Sequence, residues 1–269
     1  MRFKSILKKI LTKREYIPIF HPISSSDEFI GKVALISGGS GGIGLSIAKS
    51  LEESGAKVIV AGTNVTKLNK ISKETNFDTI IMDYSSPETF ESIIENIVDK
   101  YGKIDIFISS AGVHTENPDF WKLTSQEFDR IIDINLKGVF FACQVVGKYM
   151  KDNNIKGSIL LVSSSRGSEP AWSPYGISKW GLRGITEGLG QLFIPFGINV
   201  NSIAPGSTAT GLIGINEGDS ITSNENGMNR LVMPDEVATL AKLLVSDAGK
   251  MIDGEVVHIS AGRGTFDIR

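Results

Sequence analysis

The sequence predicts an α/β protein built on one doubly wound parallel sheet with helices on both faces, and three observations carry that prediction. Short apolar runs alternate with stretches of helical periodicity from Phe29 onward. The first run, Val33 to Ile36, is apolar at every position, as expected of a strand covered on both sides. A turn of small residues, Ser37 to Gly42, follows it directly and leads into the periodicity Ile43, Ile47, Ala48, Leu51 of a helix.

Taken in order, the strands fall at 33–37, 57–61, 79–82, 104–109, 158–163, 199–203 and 255–259, with helical patterns near 43–54, 65–74, 87–101, 125–150, 174–194 and 234–247. Seven strands in a Rossmann-type arrangement use all of the chain after residue 28, so the reading is one domain at 28–269. Only 206–233, rich in Gly, Asn and Ser, shows no period, and a segment of that length in a compact enzyme reads as a lid or binding loop. Residues 1–27 stand apart. Phe3, Ile6, Leu7, Ile10 and Leu11 recur at helical spacing among Arg2, Lys4, Lys8, Lys9, Lys13 and Arg14, which makes a basic amphipathic helix ahead of a linker at 16–27. Three roles stay open for it: peripheral contact with an anionic membrane through residues 1–14, docking on a partner or a sister subunit, or packing on its own domain.

Composition narrows the function. Of 269 residues, 41% are hydrophobic and 22% charged, and no apolar run is long enough to span a bilayer. The formal net charge of −2 argues against nucleic-acid binding. Without the six N-terminal cations the remainder carries about −8. A single cysteine, Cys143, lies in an apolar run and reads as a core thiol, and it suits a reducing compartment, so a cytoplasmic location is expected, at the inner membrane face if the N-terminal helix binds lipid. Three scattered histidines and that cysteine form no metal-ligand pattern, so no metal is expected.

Candidate chemistry gathers at two places. The strand, glycine turn and helix start at 33–45 make a phosphate site, because glycines let backbone approach a pyrophosphate and a helix N-terminus offers unpaired N–H groups. After the second strand come Thr63 and Asn64 with no carboxylate, which removes repulsion of a 2′-phosphate and favours NADP while leaving NAD open. Asp83, after the third strand, could cap the next helix or accept from an adenine amino group. Downstream, Tyr175 and Lys179 share one face of a helix, and an ammonium near a phenol favours the phenolate. Ser163, Ser164 and Ser165 end a strand just before them, at the carboxyl edge where open α/β sheets bind ligands.

These residues together resemble the single-domain short-chain dehydrogenase/reductase family. Ser37, Gly38, Ser40, Gly42, Ile43 and Gly44 lie in a run similar to its Thr-Gly-x-x-x-Gly-x-Gly loop, with Ser for the first Thr. Asp83 resembles the acid after the third strand, and Ser109-Ser110-Ala111-Gly112 resembles Asn-Asn-Ala-Gly, with both asparagines replaced. Asn135 resembles the helix asparagine, Ser164, Tyr175 and Lys179 the catalytic residues, and the run with Pro205, Gly206, Thr208 and Thr210 the segment beside the nicotinamide. The resemblance implies hydride transfer between a nicotinamide cofactor and a ketone or secondary alcohol, such as a 3-oxoacyl thioester or a sugar-like carbonyl. Tyr175 would move the proton, Ser164 would hold the carbonyl oxygen, Lys179 would hold the ribose and lower the Tyr175 pKa, and Asn135 would anchor a water. It further implies a homodimer or homotetramer assembled through the helices near 125–150 and 174–194.

Departures keep some assignments open. Ser163 and Ser165 remain alternatives for Ser164, since the interval to Tyr175 is shorter than in many relatives, and Gly41 stands where many NADP-using relatives carry a cation. Arg166 could receive a carboxylate or phosphate and Trp172 could stack on substrate, or Arg166 could pair with Glu169 while Trp172 packs. His114 either faces the cleft or is structural. Against the enzyme stands one competing class, a non-catalytic scaffold or cofactor sensor that docks through its N-terminal helix.

Overall fold

The computed structural model describes residues 28–116, 119–216 and 218–265. The amphipathic helix and linker expected at 1–27 lie outside them.

Seven strands, β1 (Val33–Ser37), β2 (Lys57–Gly62), β3 (Asp78–Ile81), β4 (Ile106–Ser109), β5 (Ser158–Val162), β6 (Asn199–Pro205) and β7 (Val256–Ile259), form one sheet in the order β3-β2-β1-β4-β5-β6-β7, with every pairing parallel. Its helices are α1 (Gly42–Glu52), α2 (Val65–Glu74), α3 (Phe90–Tyr101), α4 (Ser125–Ile132), α5 (Val139–Asp152), α6 (Pro174–Phe193) and α7 (Pro234–Val245). Alternation along the strands divides the interior in two. In β1, Ala34 and Ile36 face a core with Ile47 and Leu51 of α1, Leu68 of α2 and Val237 and Leu244 of α7. Val33 and Leu35 face a second core with Ile94 of α3, Cys143 and Val146 of α5 and Leu182 of α6. The central strands β1, β4, β5 and β6 are therefore buried on both faces, which leaves their ends for a ligand to approach. Cys143 is fully buried there, and burial pushes its thiol up to about 12, which suits a core role.

The strand order reverses between β1 and β4, and at such a switch point the loops leaving neighbouring strands diverge and open a crevice at their carboxyl ends. The structure departs from the sequence reading mainly at 125–150. In place of one helix, α4 and α5 are joined by a π-helical segment, Asp133–Gly138, whose wider turn carries Asn135. Its last residue is Gly138, where a Cβ would stand 2.5 Å from the Tyr84 carbonyl oxygen, so only glycine lets the two backbones approach. β4 starts at Ile106 rather than 104, and Asp105 just before it joins both neighbours, its N–H donating to the Val33 carbonyl oxygen at 2.9 Å, its carbonyl accepting from Ser158 N at 3.0 Å and its carboxylate accepting from Val33 N at 2.9 Å. No helix among the described residues is long and apolar enough to cross a membrane.

Candidate active site

A cleft of about 790 Å³ opens at the switch point, floored by the β1–α1 turn and walled by the ends of β2, β3 and β4. The turn is built for close approach. Gly38 adopts a positive φ of 66° and a Cβ there would stand 2.4 Å from the Ala111 nitrogen, while a Cβ on Gly44 would stand 2.4 Å from the Gly38 carbonyl oxygen. The N-cap of α1, Gly41, provides no side-chain cap and the first turn holds no acid, so its N–H donors are left for an anion. These features fit the pyrophosphate of a dinucleotide.

Of the residues expected to bind cofactor, Gly38, Ser40, Gly42, Ile43, Gly44, Thr63, Asn64, Asp83, Ala111, Gly112, Tyr175, Lys179 and Thr210 line this cleft. Pro205, Gly206 and Thr208 line a neighbouring cavity of about 290 Å³ instead, and Thr210 and Ile43 line both. Ser37 faces neither: its hydroxyl is buried and bonds Tyr84 Oη at 2.5 Å, because it is on the core side at the end of β1. Tyr84 Oη also bonds Ser109 Oγ at 2.9 Å, so a phenol spans the space between the two strand ends where Ser109 replaces the longer asparagine of the family pattern. Asn64 caps α2 by accepting from Lys67 N at 2.9 Å. One Asp83 oxygen is held by Ser85, through N–H at 2.9 Å and hydroxyl at 2.8 Å, which braces the turn before α3.

The second constellation assembles at the boundary of cleft and cavity. Ser173 caps α6 by accepting from Gly176 N at 3.2 Å, and Pro174 opens the first turn, so Tyr175 is held at a well-defined helix start. Tyr175 lines both spaces. Of the three serines, Ser164 is the one whose hydroxyl lowers the Tyr175 pKa, and its Oγ accepts from Arg166 N at 3.2 Å. Ser163 directs its hydroxyl to the Lys179 carbonyl oxygen at 3.4 Å, and Ser165 is buried. Lys179, one turn along, is buried with Nζ on the Val162 carbonyl oxygen at 3.1 Å and 5.6 Å from the Tyr175 ring.

The electrostatics correct one expectation. Burial raises the Tyr175 phenol above its ordinary value, and the partners that pull it down are Ser164 and the charges of Arg166 and Arg263 rather than Lys179. Burial in turn lowers Lys179 to about 8.

Asn135 is fully buried and reaches back to the loop after β4. Its Oδ1 accepts from Val113 N and its Nδ2 donates to the Val113 carbonyl oxygen, both at 2.8 Å. It thus closes a bidentate clamp on backbone 22 residues away, unlike the local backbone bond of an ordinary helix asparagine. Arg166 pairs with Glu169 at 2.6 Å, and Glu169 is shared with Arg263 at 3.0 Å, so the ion-pair alternative for Arg166 is the one formed. Trp172 is 48% exposed at the cavity wall with its ring edge-on to Phe120. His114 faces the cleft, stacked on Tyr175 with ring centroids 4.2 Å apart. Arg263, Leu212, Ile213 and Thr115 also line the cavity and carry no sequence signal that singles them out.

Comparison with known proteins agrees with this geometry. A family model described as short chain dehydrogenase matches residues 32–217. The 3-oxoacyl-[acyl-carrier-protein] reductase FabG of Rickettsia conorii is 32% identical over 242 residues, covering 87% of this chain and 98% of its own. Among solved structures, the 3-ketoacyl-(acyl-carrier-protein) reductase from Brucella melitensis complexed with NADH superimposes with a TM-score of 0.79 at 28% identity, covering 87% of this chain and 99% of its own. The aldohexose dehydrogenase of Thermoplasma acidophilum gives 0.80 at 26% identity, covering 91% and 98%.

Proposed function

Because the chain belongs to the short-chain dehydrogenase/reductase family, whose members are NAD(P)-dependent oxidoreductases, we propose that it interconverts a ketone and a secondary alcohol, with NADP preferred and Tyr175 as the proton carrier. The observation that carries this reading is the position of Tyr175, which borders the dinucleotide cleft on one side and the smaller cavity on the other. A nicotinamide cofactor, when bound, supplies or takes up the hydride.

The chain's own residues then account for the rest. A raised phenol pKa keeps Tyr175 protonated at neutral pH, the state needed to donate to a carbonyl oxygen during reduction. Ser164, whose hydroxyl acts on Tyr175, can turn that hydroxyl to the same oxygen as negative charge develops. Lys179, at about 8, can both hold and release a proton near neutrality and stands behind the tyrosine. Asn135 positions the wall of the site through Val113. Preference for NADP is supported by the end of β2, where Thr63 and Asn64 bring no carboxylate and the first turn of α2 carries Lys67 without an acid.

Two further readings belong here. Residues 28–269 act as the catalytic unit, so deletion of 1–27 is expected to leave nucleotide binding intact. The chain assembles as a homodimer or homotetramer: Phe140 and Phe141 on α5 remain 43% and 36% exposed beside an apolar groove lined by Leu136, Ile185 and Leu189, and light scattering should return a multiple of 29.1 kDa.

The decisive experiment is a binding titration with NADPH and NADH followed by turnover of a panel of carbonyl compounds. NADPH should bind more tightly, and Tyr175→Phe should retain binding while losing roughly 10²–10⁴-fold in turnover, the range for removal of a positioned proton donor. Full activity in Tyr175→Phe would refute the assignment, and failure to bind either nucleotide would refute the cofactor reading.

A further inference from the structure

Resting on the carbonyl chemistry proposed above, we propose that His114 and Thr115 form a second polar contact on the substrate, one that selects ketones bearing a hydroxyl on the carbon next to the reacting carbonyl. Both residues line the 290 Å³ cavity. Their segment is pinned from two sides. Asn135 clamps Val113, the Arg130 guanidinium donates to the His114 carbonyl oxygen at 2.9 Å, and Glu127 accepts from Glu116 N at 2.8 Å. Glu127 and Arg130 are themselves paired at 2.7 Å, so the support is continuous. Side chains backed in this way are presented at a fixed place.

The His114 ring lies against Tyr175, at 4.2 Å and 21° between planes, and among the described residues neither ring nitrogen has a hydrogen-bond partner. Burial and the Lys179 charge hold its pKa below the ordinary histidine value, so the neutral ring offers one donor and one acceptor. A hydroxyl both donates and accepts, and it can therefore satisfy such a ring in either tautomer. Thr115 Oγ1 is the one buried side-chain polar atom without a partner among the described residues, in a class of atom that proteins otherwise pair, and rotation about its Cα–Cβ bond would turn it from its enclosed position to the cavity that the residue lines. The imidazole is stacked directly on the phenol that meets the reacting oxygen. What it can reach is the oxygen on the adjoining carbon, since vicinal oxygens are spaced much as hydrogen-bonded atoms are.

The test compares pairs that differ by hydroxyl against methyl: hydroxyacetone with butanone, and acetoin with methyl isopropyl ketone. In the wild type kcat/KM should favour the hydroxy ketone by about tenfold to a hundredfold. His114→Phe keeps a stacking ring without nitrogens and Thr115→Val keeps the side-chain shape; each should shrink that ratio mainly through KM, and Thr115→Ser should restore it. Thr115→Val should also hold or raise Tm, since it removes a hydroxyl that has no partner. Equal use of both members of each pair by the wild type, or variants that slow both members in proportion, would overturn the inference. Turnover of other carbonyls without either hydroxy ketone would overturn it and leave the reductase reading standing. No turnover of any carbonyl with either nucleotide would bring down both.

Discussion

Replacing Tyr84 with Phe isolates the contact that joins the start of the cofactor turn to the end of β4. The phenol oxygen lies 2.5 Å from Ser37 Oγ and 2.9 Å from Ser109 Oγ, fully enclosed, and Ser37 can pass a hydrogen bond on to the Ile108 carbonyl oxygen at 3.4 Å. Burial pushes the phenol well above its ordinary value, so it remains a donor across the accessible pH range. Phenylalanine keeps the ring, its packing and its edge contact with Phe90 at 5.6 Å, and deletes only the oxygen. Ser37 retains Ile108, whereas Ser109 is left without its phenol partner. Two lost bonds with one stranded hydroxyl should cost about 2–3 kcal/mol. For a domain of this size that corresponds to a fall in Tm of roughly 5–10 °C. Thermal denaturation followed by circular dichroism gives the value, and a double-mutant cycle with Ser109→Ala gives the coupling, expected near 1 kcal/mol because the second change removes the stranded group. A loss below about 0.5 kcal/mol, or strict additivity in the cycle, would refute the argument that this network ties the two strand ends together.

Other outcomes follow from the same geometry. Gly44→Ala places a Cβ 2.4 Å from the Gly38 carbonyl oxygen and should abolish nucleotide binding in a titration while the far-UV spectrum keeps its native shape; wild-type affinity would mean that the turn adapts. Lys179 is held at about 8 against an ordinary 10.5, so between those values the unfolded chain binds a proton that the folded chain has released. Nucleotide-free wild type should accordingly gain stability relative to Lys179→Met as pH rises across that window, as urea denaturation of both at several pH values would show; the raised values of Cys143, Tyr84 and Tyr175 act in the opposite sense and equally in both proteins. At pH 7 Lys179→Met should stabilise by on the order of 1–3 kcal/mol, part of a burial cost of about 3 kcal/mol from the shift. A difference between the two proteins that stays constant over that window would contradict the assignment.

Much of the fold was legible because parallel strands covered on both faces read as unbroken apolar runs and helices declare a single apolar stripe. Val33 to Ile36 and the stripe Ile47, Ala48, Leu51 needed no tertiary information, and both are in the core as expected. The glycine turn was legible for a related reason: backbone that must approach an anion tolerates few residue types. The break at Asp133–Gly138 was not legible, since Ile-Asn-Leu-Lys-Gly carries ordinary helical periodicity and the segment's contacts, Asn135 on Val113 and Gly138 against Tyr84, come from distant parts of the chain. Nor was the direction of the Ser163, Ser164 and Ser165 hydroxyls, because three identical side chains in succession differ only in the direction the backbone gives them.

What the sequence determined by itself was the order of elements and the residue types at the reactive places: an anion-binding turn, a serine at a strand end, and Tyr175 and Lys179 one turn apart. Local spacing controls each of these, and local spacing is written in the chain. Tertiary structure decided the environment. It placed the Lys179 ammonium on the Val162 carbonyl, set Asn135 on Val113, paired Arg166 with Glu169, and laid His114 on Tyr175. Those outcomes turn on burial and on partners from distant parts of the chain, and the energy of a charge or a hydroxyl depends on which atoms surround it once the sheet has closed.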